Sequence, residues 1–180
     1  MKRRHFIQKS SASVLGIVGA SYTASPLRAA EPFPKRPYGN TGERLSIIGF
    51  GGIVVRGVEQ SHANNVVAES VERGINYFDV APTYGNAEER LGPALEPYRE
   101  NVFLACKTQK RDAKGAEKEL NESLKILRTD YFDLYQLHAI SNMEDVEQAT
   151  AKGGALDTFV KARENGLVKY LGFSAHSAEA

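Results

Sequence analysis

Four side chains in this sequence could together move a proton: Asp79, Tyr84, Lys107 and His138. Three of them lie at the ends of apolar runs: Asp79 in "INYFDVA", Lys107 in "VFLACKT" and His138 in "YFDLYQLHA". Tyr84 follows Asp79 by five residues. A phenol has an unperturbed pKa near 10, about three units too weak an acid to be half-ionised at neutral pH, and a nearby ammonium favours its charged form. Lys107 could supply that ammonium. In a mostly apolar setting it would tend to lose its proton, and a carboxylate such as Asp79 would hold it charged and in place. His138 could hydrogen-bond to a substrate oxygen or pass a proton to Tyr84. Such a set suits reduction of a carbonyl, in which hydride arrives at carbon while negative charge grows on oxygen and is quenched by a positioned donor. No side chain stores hydride, so a nicotinamide cofactor would have to lie beside the four. Each residue also has a plainer role: a turn cap for Asp79, ring packing for Tyr84, a solvated strand end for Lys107 and a structural histidine for His138.

The elements that must position these groups follow a rhythm. "PYGNTGERL", with Gly39-Asn40, suits a tight hairpin, and "LSIIGFGG" reads as one apolar strand ending in glycines. "SHANNVVAESVERG" reads as a helix with a Ser61 cap, Val67 and Val71 on one face and Gly74 as its stop. Next come "INYFDVA" with a short helix from about Ala87, then "VFLACKT" with a helix whose face is Ala116, Leu120, Leu124 and Leu127. The strand "YFDLYQLHA" leads through a polar stretch with "KGG" to the helix "ALDTFVKARENG", and "VKYLGFSA" is the fifth strand. Apolar strands alternating with amphipathic helices indicate an α/β fold with a parallel sheet, either doubly wound or a (β/α)₈ barrel. "GFGG" is not GxGxxG, and no Gly-Lys-Ser/Thr phosphate loop is present, which favours the barrel. In a parallel barrel the four polar residues would gather on the C-terminal face, where active sites of that architecture are built.

Composition narrows the partners. The 180 residues carry a formal net charge of +1, with 23 Lys+Arg against 22 Asp+Glu interspersed, so no basic stripe tracks a nucleic acid backbone. The single cysteine, Cys106, lies in an apolar run and reads as a small core residue; no thiolate set is present to hold a metal.

"GINYFDVAPTYGNAEERLG", with "ACKT", "DLYQLH" and "GFSAHS" in the same order, closely resembles the aldo-keto reductases, which are NAD(P)(H)-dependent (β/α)₈-barrel oxidoreductases. The resemblance covers roughly residues 35 to 177. It implies that Tyr84 is the general acid/base, that Asp79 and Lys107 are its electrostatic partners, and that His138 orients the carbonyl of a small-molecule substrate. It further implies NADP or NAD as cofactor, with Gly52 near the nicotinamide ribose and Ser174 on the carboxamide. Many members have Asn directly after that serine, where this chain has Ala175; a branch of the family carries a small residue and then histidine, as in "SAHS". His176 reads as a loop residue.

Residues 1–30 are a different object. "KRRHF" is basic with a double arginine, and "SASVLGIVGASYTA" is too short and too polar to span a bilayer stably. The pair Arg3-Arg4 followed by Phe6 resembles the bacterial twin-arginine export signal, which implies a periplasmic protein whose mature portion, residues 31–180, begins near Glu31. Five βα units are legible where a full barrel has eight, and Ser177 reads as the cap of a further helix. The expectation is therefore a portion of an exported reductase. The alternative is a noncatalytic partial barrel that associates with itself or with a complementary chain.

Overall fold

The computed structural model describes residues 31–178; the export-signal reading of residues 1–30 lies outside the described residues. The hairpin expected around Gly39-Asn40 is present but wider than a two-residue turn. Strand β1 (Lys35–Pro37) pairs antiparallel with β2 (Arg44–Ser46). Six residues connect them, with Gly39 and Gly42 supplying the positive φ angles and the Tyr38 N–H donating to the Glu43 carbonyl at 2.8 Å.

The run "LSIIGFGG" is not one strand. β2 ends at Ser46 because Ser46 and Asn76 exchange side-chain and backbone hydrogen bonds: the Ser46 N–H donates to Asn76 Oδ1 at 2.7 Å, and the Ser46 hydroxyl donates to the Ile48 carbonyl at 2.7 Å. The chain then turns, leaving Ile47 and Ile48 half exposed, and resumes as the two-residue β3 (Phe50–Gly51).

Helix α1 (Gln60–Glu72) starts before Ser61, so the expected Ser61 cap is not formed; Glu59 stands at the cap without a side-chain bond. The first turn is instead held by Gln60, whose amide donates to the Arg90 carbonyl and to Asn64 Oδ1, both at 2.9 Å. Gly74 does stop the helix, with φ +87° and its N–H on the Val71 carbonyl at 2.8 Å.

Beyond it run β4 (Tyr77–Asp79), α2 (Ala87–Leu95), β5 (Phe103–Thr108), α3 (Ala113–Ile126) and β6 (Phe132–Ile140). The chain closes with α4 (Met143–Thr150), α5 (Ala155–Glu164) and β7 (Val168–Ala175). Helix α4 falls in the stretch read as merely polar. It buries only Ala149, and its apolar side, Met143, Val146 and Ala149, is short and partly exposed; its start is fixed by Asn142, whose side chain accepts from the Asp145 N–H.

Strands β3 to β7 form one parallel sheet in strict chain order. A doubly wound sheet reverses its order at a switch point, whereas a barrel wall adds each strand beside the last. The sheet is thus five staves of a (β/α)₈-type wall. Period-two alternation sorts its side chains onto two faces. Phe78, Leu104, Cys106 and Tyr135 pack outward beneath the helices against Leu91, Leu120 and Phe159. Tyr77, Phe103, Ala105, Leu134 and Tyr170 line the inner face. Tyr38 of the β1–β2 loop packs edge-on against Phe103 and Tyr170, with ring centroids 5.7 and 6.1 Å away, and so covers the N-terminal end of that face. The opposite, C-terminal end is where the polar residues emerge. Among the described residues no helix is long and apolar enough to cross a membrane.

Candidate active site

Alternation along three adjacent strands builds the site. On β4 Tyr77 and Asp79 share the inner face; on β5 Phe103, Ala105 and Lys107 do; on β6 Leu134, Gln136 and His138 do. The register sets Asp79 beside Ala105 and Lys107 beside Gln136. Apolar layers therefore sit below and charged groups cap them. Lys107 is 4% exposed and forms an ion pair with Asp79 Oδ1, while its ammonium also donates to the Val80 carbonyl at 3.3 Å. The other Asp79 oxygen accepts a hydrogen bond from the Tyr77 hydroxyl at 3.4 Å. Burial, and behind it the Asp79 charge, push the Tyr77 phenol far above its ordinary value of 10, so Tyr77 acts as a permanent donor.

Tyr84 is brought back over this pair by the turn that follows Val80, in which the Tyr84 N–H donates to the Ala81 carbonyl at 3.0 Å. The Lys107 ammonium stands 5.3 Å from the centre of the Tyr84 ring. The His138 ring meets Tyr84 edge-on, with centroids 5.8 Å apart. His138 is buried, and its Nδ1 lies 3.4 Å from Thr83 Oγ1. Burial first, and then the positive charge of Lys107, hold its imidazole below the ordinary 6.5, so the neutral ring is favoured. His176, in the exposed segment after β7 as expected, also sets its ring edge-on to His138, at 5.6 Å.

Gly52 and Ser174, which the family resemblance places near a cofactor, have structural duties in the fold. A Cβ on Gly52 would lie 2.9 Å from the Val80 side chain and 3.0 Å from the Asp79 carbonyl oxygen. Only glycine lets the segment after β3 pack this closely on the strand end that carries Asp79. Ser174 Oγ accepts the Ala139 N–H at 3.1 Å. That bond occupies a lone pair and leaves the hydroxyl proton available to donate to a ligand carbonyl. Ser177, read as a helix cap, donates its hydroxyl to the Ser141 carbonyl at 2.6 Å.

The structure thus brings Asp79, Tyr84, Lys107 and His138 into one cluster at the C-terminal ends of β4, β5 and β6. Gly52 packs against Val80 and the Asp79 carbonyl, and Ser174 stands one strand beyond His138. Sequence reasoning missed Thr83, Tyr77 and Arg111. Thr83 and Tyr77 lie inside the same stretch as Asp79 and Tyr84, and period-two spacing from Asp79 points to Tyr77. Arg111, which binds the backbone at His138, carries no signal in its neighbourhood. Among the described residues no group of His, Cys, Asp and Glu is placed to hold a metal ion.

A sequential parallel wall with this polar cluster at its C-terminal end defines an α/β protein of the barrel type. The aldo/keto reductase family profile matches residues 47–180, and the chain belongs to that family. It is similar to the uncharacterized oxidoreductase YqkF of Bacillus subtilis, with 30% identity over 155 residues, 78% of this chain and 48% of that protein. It is also similar to L-galactose dehydrogenase of Arabidopsis thaliana, with 30% identity over 154 residues, 77% of this chain and 47% of that protein. Among solved structures, the holo form of the aldo-keto reductase AKR11C1 from Bacillus halodurans superposes with a TM-score of 0.69 at 29% identity, over 79% of this chain and 50% of that one. The chain spans about half the length of the curated relatives it matches.

Proposed function

We propose that this chain carries the proton-transfer and nicotinamide end of an NAD(P)H-dependent reductase that converts an aldehyde or ketone to an alcohol. The observation that supports it most is the Lys107 ammonium, buried between the Asp79 carboxylate and the Tyr84 ring with His138 edge-on to that ring. In this reading Tyr84 donates a proton to the carbonyl oxygen in reduction and takes it back in oxidation. Lys107 stabilises negative charge developing on the phenol oxygen, and Asp79 fixes Lys107 in place. The neutral His138 ring, held by Thr83, hydrogen-bonds to the carbonyl oxygen and orients it. The donor set fits a nicotinamide: Ser174 has a hydroxyl proton to give, and it lies one strand from His138. When bound, the nicotinamide supplies the hydride.

Replacing Tyr84 by Phe removes the proton donor and leaves the ring, so carbonyl reduction is expected to fall by a factor of about 10² to 10⁴ while cofactor affinity stays near that of the parent. Titration of the full chain with NADPH and with NADH, followed by nicotinamide fluorescence and then a carbonyl screen, tests the reading. Parent-level turnover by Tyr84→Phe would remove Tyr84 as the acid. We also propose export by the twin-arginine route, from Arg3-Arg4; finding the full-length protein only in the cytoplasm would sink that idea.

A second reading, a partial barrel that pairs with another copy or a complementary chain, is favoured by the apolar side chains exposed near the two edge strands. Phe173 on β7 is 60% exposed and Val54 after β3 is 57% exposed. A molar mass by light scattering that stays monomeric across micromolar concentrations would count against self-pairing.

A further inference from the structure

The end of β6 is kinked. The pairing with β7 shifts register between Leu137 and Ile140, and Ala139, directly after His138, has φ +57°. An alanine in the left-handed region is held there at a cost, and persists only when its surroundings over-determine it. Two neighbours do so here. Ser174 takes the Ala139 N–H from the β7 side. On the other side Arg111, from the loop between β5 and α3, donates from Nη2 to the His138 carbonyl at 3.0 Å and to the Ala139 carbonyl at 3.3 Å.

Arg111 is itself braced. Its Nε donates to Asp145 Oδ1 at 3.1 Å, and the second Asp145 oxygen accepts the Ser141 N–H at 2.9 Å, just past the kink. Its own carbonyl accepts the Ala155 N–H at 2.8 Å, tying the loop to the start of α5. The guanidinium side chain is 15% exposed and Asp145 25%. A planar fork that serves two successive carbonyls and a carboxylate at once is work a lysine cannot copy.

We propose that Arg111 is a positioning residue for His138: by clamping the two peptides after that residue, with Asp145 behind it, it fixes the kink that aims the imidazole at Thr83 and Tyr84. The proposal deepens the reductase reading, since it rests on that reading for what His138 orients, but its geometry needs no cofactor. The groups that face His138 are Lys107 and Asp79 from β5 and β4, Tyr84 and Thr83 from the turn after β4, His176 from beyond β7, and Arg111 itself.

The test is proton NMR of the full chain without cofactor, with the His138 ring signals assigned by a His138→Asn variant, in the parent and in Arg111→Met, Arg111→Lys and Asp145→Asn. In the parent the His138 ring is expected to show a nuclear Overhauser contact to Tyr84 and to titrate below the ordinary imidazole value. Arg111→Met is expected to lose the contact and move the titration upward, because the ring gains water and loses a facing cation. Arg111→Lys keeps the cation and is expected to lose the contact too. Asp145→Asn weakens the contact in the same direction. Contact retained in Arg111→Lys and Asp145→Asn overturns the proposal, even if Arg111→Met shifts the titration, because charge alone then accounts for the shift. Should Arg111→Met fail to fold, these two variants decide. A parent that shows the predicted ring responses but neither binds NADPH nor reduces carbonyls would refute the reductase reading and leave the positioning role standing.

Discussion

The Lys107–Asp79 pair can be tested without any substrate. Asp79→Asn is nearly isosteric and keeps an oxygen that can accept from the ammonium, so what it removes is the charge. Two estimates bound the effect. Deleting one partner of a fully buried pair costs about 3 to 5 kcal/mol, but the Asp79 side chain is 22% exposed against 5% for Lys107, so the lower part of that range is a ceiling. Replacing a charge-assisted hydrogen bond, at about 1.5–3 kcal/mol, by a neutral one, at about 0.5–1.5, sets a floor near 1 kcal/mol. The expected loss for Asp79→Asn is thus about 2 kcal/mol. Lys107→Met removes the buried cation itself, so once it is in place Asp79→Asn should cost little. The double variant is expected to lose less than the sum of the singles by about 1.5 kcal/mol. The assay is equilibrium urea unfolding of the full chain at pH 7, repeated in 1 M NaCl, where a surface pair would be screened and this one should change little. Single effects that add to within about 0.5 kcal/mol would refute the coupling, and with it the argument that Asp79 is there to hold Lys107.

Arg99, buried at the bottom of the sheet, donates to Asp133, Thr129 and the carbonyls of Val102 and Tyr131; Arg99→Met strands the Asp133 carboxylate and should cost about 3–5 kcal/mol in urea unfolding. Gly52→Ala should cost about 1–3 kcal/mol by overpacking against Val80 and the Asp79 carbonyl, and, under the proposed reductase function, should depress carbonyl reduction through Asp79; an unchanged urea midpoint would show that the contact yields. Glu88, 5% exposed, is held above its ordinary 4.5 chiefly by burial. Its folded pKa is raised, so its contribution to stability is present below 4.5 and is lost as the pH rises through the folded value. Glu88→Gln should therefore gain on the parent in urea midpoint between pH 4 and pH 8, and a constant difference across that range would sink the assignment.

The parallel sheet was legible because its central strands β5 and β6 are buried on both faces and so read as the unbroken apolar runs "VFLACKT" and "YFDLYQLHA". Two misreadings share a cause: at β2 and at the start of α1 the decision is made by polar side chains that act across the fold. Ser46 and Asn76 are thirty residues apart and end a strand together; Gln60 anchors its helix on a carbonyl thirty residues away. No local propensity records a partner at that distance. Helix α4 carries an apolar side of only Met143, Val146 and Ala149 over two turns, too short to stand out from a polar stretch, although its Asn142 cap was there to be seen.

The candidate site was legible for a related reason. Strand ends are fixed points of a parallel fold, so a polar residue that closes an apolar run has its destination set by the run itself. Asp79, Lys107 and His138 are such residues, and Tyr84 is tied to them by a short turn. What strand-end reasoning cannot reach is the layer behind them. Thr83 and Tyr77 act through side chains aimed at His138 and Asp79, and Arg111 acts on backbone carbonyls twenty-seven and twenty-eight residues away. A carbonyl acceptor has no sequence identity, so a residue that serves one leaves no paired signature. The consequence is an asymmetry: groups placed to face a substrate announce themselves by type and position, while groups that hold them in place emerge only when the backbone geometry, here the positive φ of Ala139, demands a reason.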